Sequence, residues 1–251
     1  MSTPARSPWV RPRRLGPPIR IHRVPKPDGG VRHLVHLGPI DGGRYTAAVR
    51  SVLPIVERAS GPWVMANRGR VTLDGLALED WRAARDRFRA VTRSNLDGVA
   101  SVFLGDVEDC YGSIGRSTVM AALRRLGLDA ADAGQVGSVL ADLQRRGVRG
   151  LPVGPDASAI LGNAVLLEVD QALAREGFTF LRWVDDVAVF APNQEVAMRA
   201  QHVFRQALAN LGLRVNEAKT TVVDPGGARG RLLGSSISLA TGTARDMIRP
   251  P

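Results

Sequence analysis

The chain has 251 residues, 44% of them hydrophobic, which is enough to bury a real core and excludes wholesale disorder. Its 34 Lys and Arg against 24 Asp and Glu leave a charge of +10, and so basic a surface suits a polyanion, whose phosphates release counterions on contact. One cysteine, Cys110, excludes an intrachain disulfide, and no Cys/His cluster has zinc spacing. Charge alone leaves a second reading open, a solvated basic surface with no partner.

Residues 1–18 read as a basic, Pro-rich, flexible arm without the apolar stretch of a secretory signal. Residues 19–37 alternate apolar and basic around Asp28-Gly29-Gly30, the pattern of a basic β-hairpin. Helical spacing follows at 44–58, despite Pro54, and at 76–92. Residues 99–107 form a short apolar strand that ends in charge, and Cys110 reads as a small packing residue in an apolar strand-like run. Helices are expected near 117–127 and 131–146. Gly150-Leu151-Pro152-Val153-Gly154-Pro155 is a rigid turn that feeds an apolar helix over 157–175. Strands at 178–183 and 187–190 flank Asp185-Asp186. Asn193 caps a helix that runs to about Leu211. Short strands at 213–215 and 220–223 and a last apolar strand at 231–239 complete an α+β pattern, strands in hairpins with helices on one face. No apolar run reaches the length of a membrane span, so a cytoplasmic protein is the default expectation.

Two acidic spots carry the chemistry. Trp183-Val184-Asp185-Asp186 reads as a tight hairpin with adjacent carboxylates, which repel and raise each other's pKa unless a cation neutralises them. Hard oxygen ligands of this kind suit Mg²⁺. Asp106 ends the strand at 99–107, where a half-buried carboxylate needs a partner. Beside the Asp185-Asp186 turn it would complete a two-metal site. Each spot alone also reads as an ordinary turn or helix cap.

The order of these pieces resembles the motif set of reverse transcriptases. Asp106 and Tyr111 match the aspartate and following aromatic that open the set. Leu151-Pro152-Val153-Gly154 with Ser158 and Asn163 is similar to the turn and helix that come next, and Trp183-Val184-Asp185-Asp186 to the Tyr-x-Asp-Asp turn. Gly212, Leu213, Asn216, Lys219 and Thr220, then Leu233-Gly234, follow the family's later segments.

The resemblance spans about residues 21–237 and implies a right-handed polymerase. Fingers would occupy 19–98. A palm with an antiparallel sheet would occupy 99–240, with an inserted helical fingers part near 115–150. Residues 241–251 would be a short tail, with the thumb absent or vestigial.

It further implies an RNA-directed DNA polymerase that adds dNTPs to a primer with two Mg²⁺ ions, Mn²⁺ being an alternative. Asp106, Asp185, Asp186 and the Val107 carbonyl would hold the metals. Lys26 and Arg32 would pair with the triphosphate. Tyr111 would be the gate against a 2′-hydroxyl, or else a core aromatic. Gly154 and Pro155 would set the turn that lets the backbone approach the template–primer pair, Val153 would stand at its nucleotide-contacting position, and Ser158 would cap or line the site or merely sit on its helix. Lys219 would protonate the leaving pyrophosphate, or else be a solvated lysine. Partners would be an RNA or DNA template–primer, dNTPs, and a noncoding RNA or thumb-supplying protein.

Val153 stands where the family usually has Gln. That departure resembles abortive-infection and antiphage-defence reverse transcriptases, some of which synthesise DNA untemplated or from a protein primer. A non-catalytic nucleic-acid-binding subunit on the same scaffold is the remaining alternative.

Overall fold

The computed structural model describes residues 19–25, 30–73 and 75–234. The arm expected at 1–18, Lys26 and the tail expected at 241–251 lie outside the described residues.

β1 (Arg20–Pro25) and β2 (Val31–His36) pair antiparallel, the expected basic hairpin. The single helix expected over 44–58 is instead two, α1 (Pro39–Arg50) and α2 (Leu53–Ala59). Pro54 explains the break, because it lacks an N–H and is tolerated only in a helix's first turn, where it stands in α2. β3 (Gly69–Thr72) and β4 (Gly75–Leu78) form a second hairpin that the periodicity hid. Leu76 and Leu78 belong to that hairpin, and α3 (Trp81–Leu96) begins only after Asp80, whose carboxylate accepts the N–H groups of Arg82 and Ala83.

β5 (Ser101–Asp106) leads to the one-turn α4 (Cys110–Ser113), so Cys110 is a buried helix residue and not part of a strand-like run. α5 (Arg116–Arg125), α6 (Ala130–Arg145) and α7 (Asp156–Arg175) follow near their expected places. β6 (Thr179–Trp183) and β7 (Asp186–Ala191) enclose a two-residue turn. Asn193 caps α8 (Gln194–Asn210) by accepting the Val196 N–H.

β8 (Thr221–Val223) is the last strand among the described residues, and 213–215 supplies only a single bridge, Val215 to Val107. The strand expected from 231 is contradicted as far as it is described, because α9 (Pro225–Leu233) is helical there. Asp224 caps it through the Gly227 N–H, and Ala228 and Leu232, four residues apart, give it one buried face.

β5 to β8 make one antiparallel sheet in the order β6-β7-β5-β8. Alternation splits its side chains between two cores. Phe103, Phe180, Val187 and Val189 pack with α7 and α8. Val102, Leu104, Leu181, Trp183 and Phe190 pack with α3 and α9. Helices therefore cover both faces, not the single face the pattern suggested; the second is roofed by α9, the segment read as strand.

α7 is long and apolar enough to cross a membrane by length and composition, which corrects the sequence reading. It is largely buried within the fold, as a core helix is.

Candidate active site

The register of the sheet brings the acidic residues together. Asp106, last residue of β5, lies directly opposite Asp186, first residue of β7. Cross-strand partners point to the same face, so the two carboxylates meet. Trp183 pairs with Asp186 across β6 and β7, leaving Val184 and Asp185 as the turn. Val184 has a φ of 57°, which is strained for a β-branched residue.

A buried network holds that turn. Arg182 donates to both carboxylate oxygens of Asp170 at 2.8 Å and to the Asn163 side chain at 2.9 Å. It also donates to the Val184 carbonyl at 2.8 Å, fixing the strained residue. Asn163 in turn donates to the Asn67 carbonyl at 3.1 Å, and the Asn67 amide reaches the Tyr111 hydroxyl at 3.4 Å.

The carboxylates are electrostatically frustrated. Burial and the neighbouring Asp106 push Asp185 up to about 6, against the pull of Lys219 and Arg32. Burial, then the charges of Asp185 and Asp106, then a hydrogen bond with Asp106 raise Asp186 well above the usual carboxylate range. Lys219 donates to Asp106 Oδ2 at 3.3 Å. It is carried there by a turn in which the Asn216 carbonyl accepts the N–H groups of Lys219 and Thr220, while the Asn216 N–H donates to the Asp106 carbonyl. Burial lowers the Lys219 pKa, but the surrounding carboxylates outweigh it and hold the ammonium charged.

Among the described residues no three His, Cys, Asp or Glu side chains converge as a ready-made metal shell. Lys219, on Asp106, is the cation that meets them. The donor set still fits a hard divalent cation, since all three groups are carboxylates, and the raised proton affinity of Asp185 and Asp186 marks an unmet demand for positive charge. Val107 adds a carbonyl. The Glu108 and Asn216 N–H groups donate to Arg214 and Asp106 on either side of the Val107–Val215 bridge. That makes it a non-hydrogen-bonded pair, so the Val107 carbonyl points away from residue 215.

The other expected residues divide. Arg32 in β2 sends its field onto Asp185. Val153 accepts the Val35 N–H at 2.8 Å, docking the first hairpin onto the 151–154 turn, and Gly154 takes a φ of 130° that only glycine adopts freely. The Tyr111 ring lies against Gly162, and its carbonyl accepts the Leu151 N–H. Ser158 is buried and hydrogen-bonded to Tyr45 at 3.0 Å, a packing position and not an open wall. Arg182 and Asp170 escaped the sequence reading. Their signal was there: single opposite charges in the middle of an apolar strand and an apolar helix.

An antiparallel sheet that gathers three aspartates at one end, with a lysine folded back onto them, is the fold of a nucleotidyl-transferring palm. The sequence pattern described as reverse transcriptase (RNA-dependent DNA polymerase) matches residues 24–235, and the chain belongs to that family. No curated protein matches it. Telomerase from Candida albicans, solved with a fragment of telomeric RNA, is similar over 81% of this chain and 41% of its own, at 15% identity and a TM-score of 0.51. Apo telomerase from Candida tropicalis is similar over 88% of this chain and 46% of its own, at 13% identity and a TM-score of 0.54. These likenesses concern the fold, and this chain spans less than half the length of either.

Proposed function

We propose that this chain is an RNA-directed DNA polymerase core that adds dNTPs to a primer 3′ end. The observation that carries it is the register of Asp106 opposite Asp186, with Asp185 in the adjoining turn and Lys219 on Asp106. The hairpins and helices of residues 19–98 act as fingers. The sheet with α7 to α9 acts as palm, and α5 and α6 as the helical insertion.

Asp106, Asp185 and the Val107 carbonyl would hold Mg²⁺ or Mn²⁺, with Asp186 beside them. Such ions supply charge for the transferring phosphoryl group and activate the attacking hydroxyl. Arg32, with Lys26 by resemblance, pairs with the triphosphate as a planar fork and a point charge. Tyr111 lies under the sugar, beside the turn at Val153 and Gly154. Lys219 holds a proton within reach of the leaving pyrophosphate.

Untemplated or protein-primed synthesis, as in bacterial antiphage defence, is the second reading. Val153 favours it, because this turn offers no side-chain amide to an incoming nucleotide. Incorporation of labelled dNTPs, with and without an RNA template–primer, tests both readings beside an Asp185→Ala/Asp186→Ala control. Template-dependent extension lost in the control supports the first, and extension without template the second. Nucleic-acid binding with no incorporation would overturn both in favour of a binding subunit.

A further inference from the structure

Helix α3 carries Arg82, Arg85, Arg89 and Arg93 at intervals of three, four and four residues. On a helix of 3.6 residues per turn they form one stripe, about 80° wide and about 16 Å long. The stripe runs along the shoulder of the buried face made by Ala84, Phe88, Thr92 and Leu96.

Among the described residues, none of these four side chains donates a hydrogen bond or makes an ion pair. Arg87, off the stripe, is fully engaged by Glu79 and the Met65 carbonyl. The contrast is informative, since the helix neutralises one arginine and leaves four in a row.

The stripe is anchored at the candidate active site. Arg85 is buried, its guanidinium stacked 5.2 Å from the Trp183 ring and 5.5 Å from Phe88, within the field of Asp186. Its near neighbour is another cation, Arg89, whose Nε is sealed from solvent without a partner. Two adjacent guanidiniums repel each other, and a phosphate laid along the stripe offsets that repulsion. Arg32 lies within the field of Asp185 as Arg85 lies within that of Asp186.

We propose that the α3 stripe is a binding surface for the sugar–phosphate backbone of the primer strand, immediately behind its 3′ end. The inference rests on the proposed function, which sets the reacting 3′ end at Asp106, Asp185 and Asp186. The strand that passes Arg85 is then the one whose end reacts. A stripe of about 16 Å spans roughly five steps of a duplex strand at about 3.4 Å each.

The test measures binding of a labelled RNA–DNA primer–template by the full chain across a salt series. It compares Arg89→Gln/Arg93→Gln with Arg87→Gln and the wild type, with urea midpoints confirming that each variant folds. Arg85 is left intact because it is buried. The expected result is that the slope of log Kd against log salt falls by about two in the double variant, about one for each lost phosphate contact. The KM for primer–template rises, the KM for dNTP stays unchanged, and Arg87→Gln behaves as wild type. An unchanged slope and affinity, in a protein that extends primers normally, would overturn the stripe alone. Equal loss of affinity for single-stranded RNA of the same length would overturn its assignment to the primer strand. A wild type that neither binds nor extends the primer–template would remove the proposed function, and the stripe with it.

Discussion

Arg182 grips Asp170 through two parallel hydrogen bonds of 2.8 Å, with both side chains only 1% exposed. The pair joins β6 to α7, and the remaining guanidinium donors reach Asn163 and the Val184 carbonyl. Asp170→Ala would strand a buried guanidinium, and removing one partner of such a pair costs about 3–5 kcal/mol. Urea denaturation is expected to show a loss of that size. Asp170→Asn should retain more stability, yet lower kcat by loosening the turn that carries Asp185. A destabilisation below about 1 kcal/mol in the alanine variant would mean that the network does not hold the turn.

In the metal-free protein Asp185 should cost stability as pH rises. Asp185 titrates near 3.8 when unfolded and at about 6 when folded, raised first by burial and then by Asp106. A raised folded pKa means the fold prefers the protonated form. Its contribution is therefore intact below about pH 4 and lost as pH climbs through about 6. At about 1.4 kcal/mol per unit, the change is on the order of 2–3 kcal/mol. Asp185→Asn should flatten this part of the profile in EDTA and raise the melting temperature at pH 7. Mg²⁺ should stabilise the wild type at that pH and not the variant. Thermal melts at pH 4 and pH 7, with EDTA or Mg²⁺, measure both effects. A wild type whose melting temperature changes between those pH values just as that of Asp185→Asn does would show that Asp185 is not frustrated.

Gly150 joins the turn at 151–154 to the segment after Asp106. Its φ is +64°, and a Cβ there would stand 2.3 Å from the Tyr111 carbonyl and 2.5 Å from that of Gly112. Both are backbone atoms, so the clash cannot be relieved by a rotamer change. Gly150→Ala must break the Leu151 to Tyr111 hydrogen bond or distort α4. A loss of about 2–4 kcal/mol is expected, from strain at positive φ and overpacking together. Gly127 is the comparison, at φ +74° with nothing near its Cβ, where alanine should cost only about 1 kcal/mol.

Much of this was legible before the structure. The alternation in β1 and β2, the cap at Asn193 and the apolar runs around Asp185-Asp186 each obey a local rule, and each element formed. The errors arose where local rules compete. Pro54 sits inside a helical period but can only begin a helix, so one helix became two. Leu76, Ala77 and Leu78 continue the apolar content of α3, yet Gly75 at a φ of 141° turns them into a strand. Leu232 and Leu233 read as strand because three nearby glycines disfavour helix; the Asp224 cap and burial against α3 outweighed them. In the site, adjacent carboxylates announce themselves, whereas Arg182 and Asp170 signal only as a pair, and their pairing is a tertiary fact.

Tyr111 offers the sharpest distinction between a functional and a packing role. Its ring borders Gly162, and its hydroxyl accepts from Asn67 at 3.4 Å. It follows Asp106 by five positions, on the one-turn helix α4, with its carbonyl tied to Leu151. If the ring closes the floor of the sugar site, Tyr111→Val opens space for a 2′-hydroxyl. Discrimination between dNTP and rNTP should then fall on the order of tenfold or more, the scale set by a few methylene-sized contacts. Parallel single-nucleotide extensions with each substrate measure the ratio of kcat/KM values. A ring that only packs would give the opposite signature: a lower unfolding midpoint, equal losses with both substrates, and an unchanged ratio.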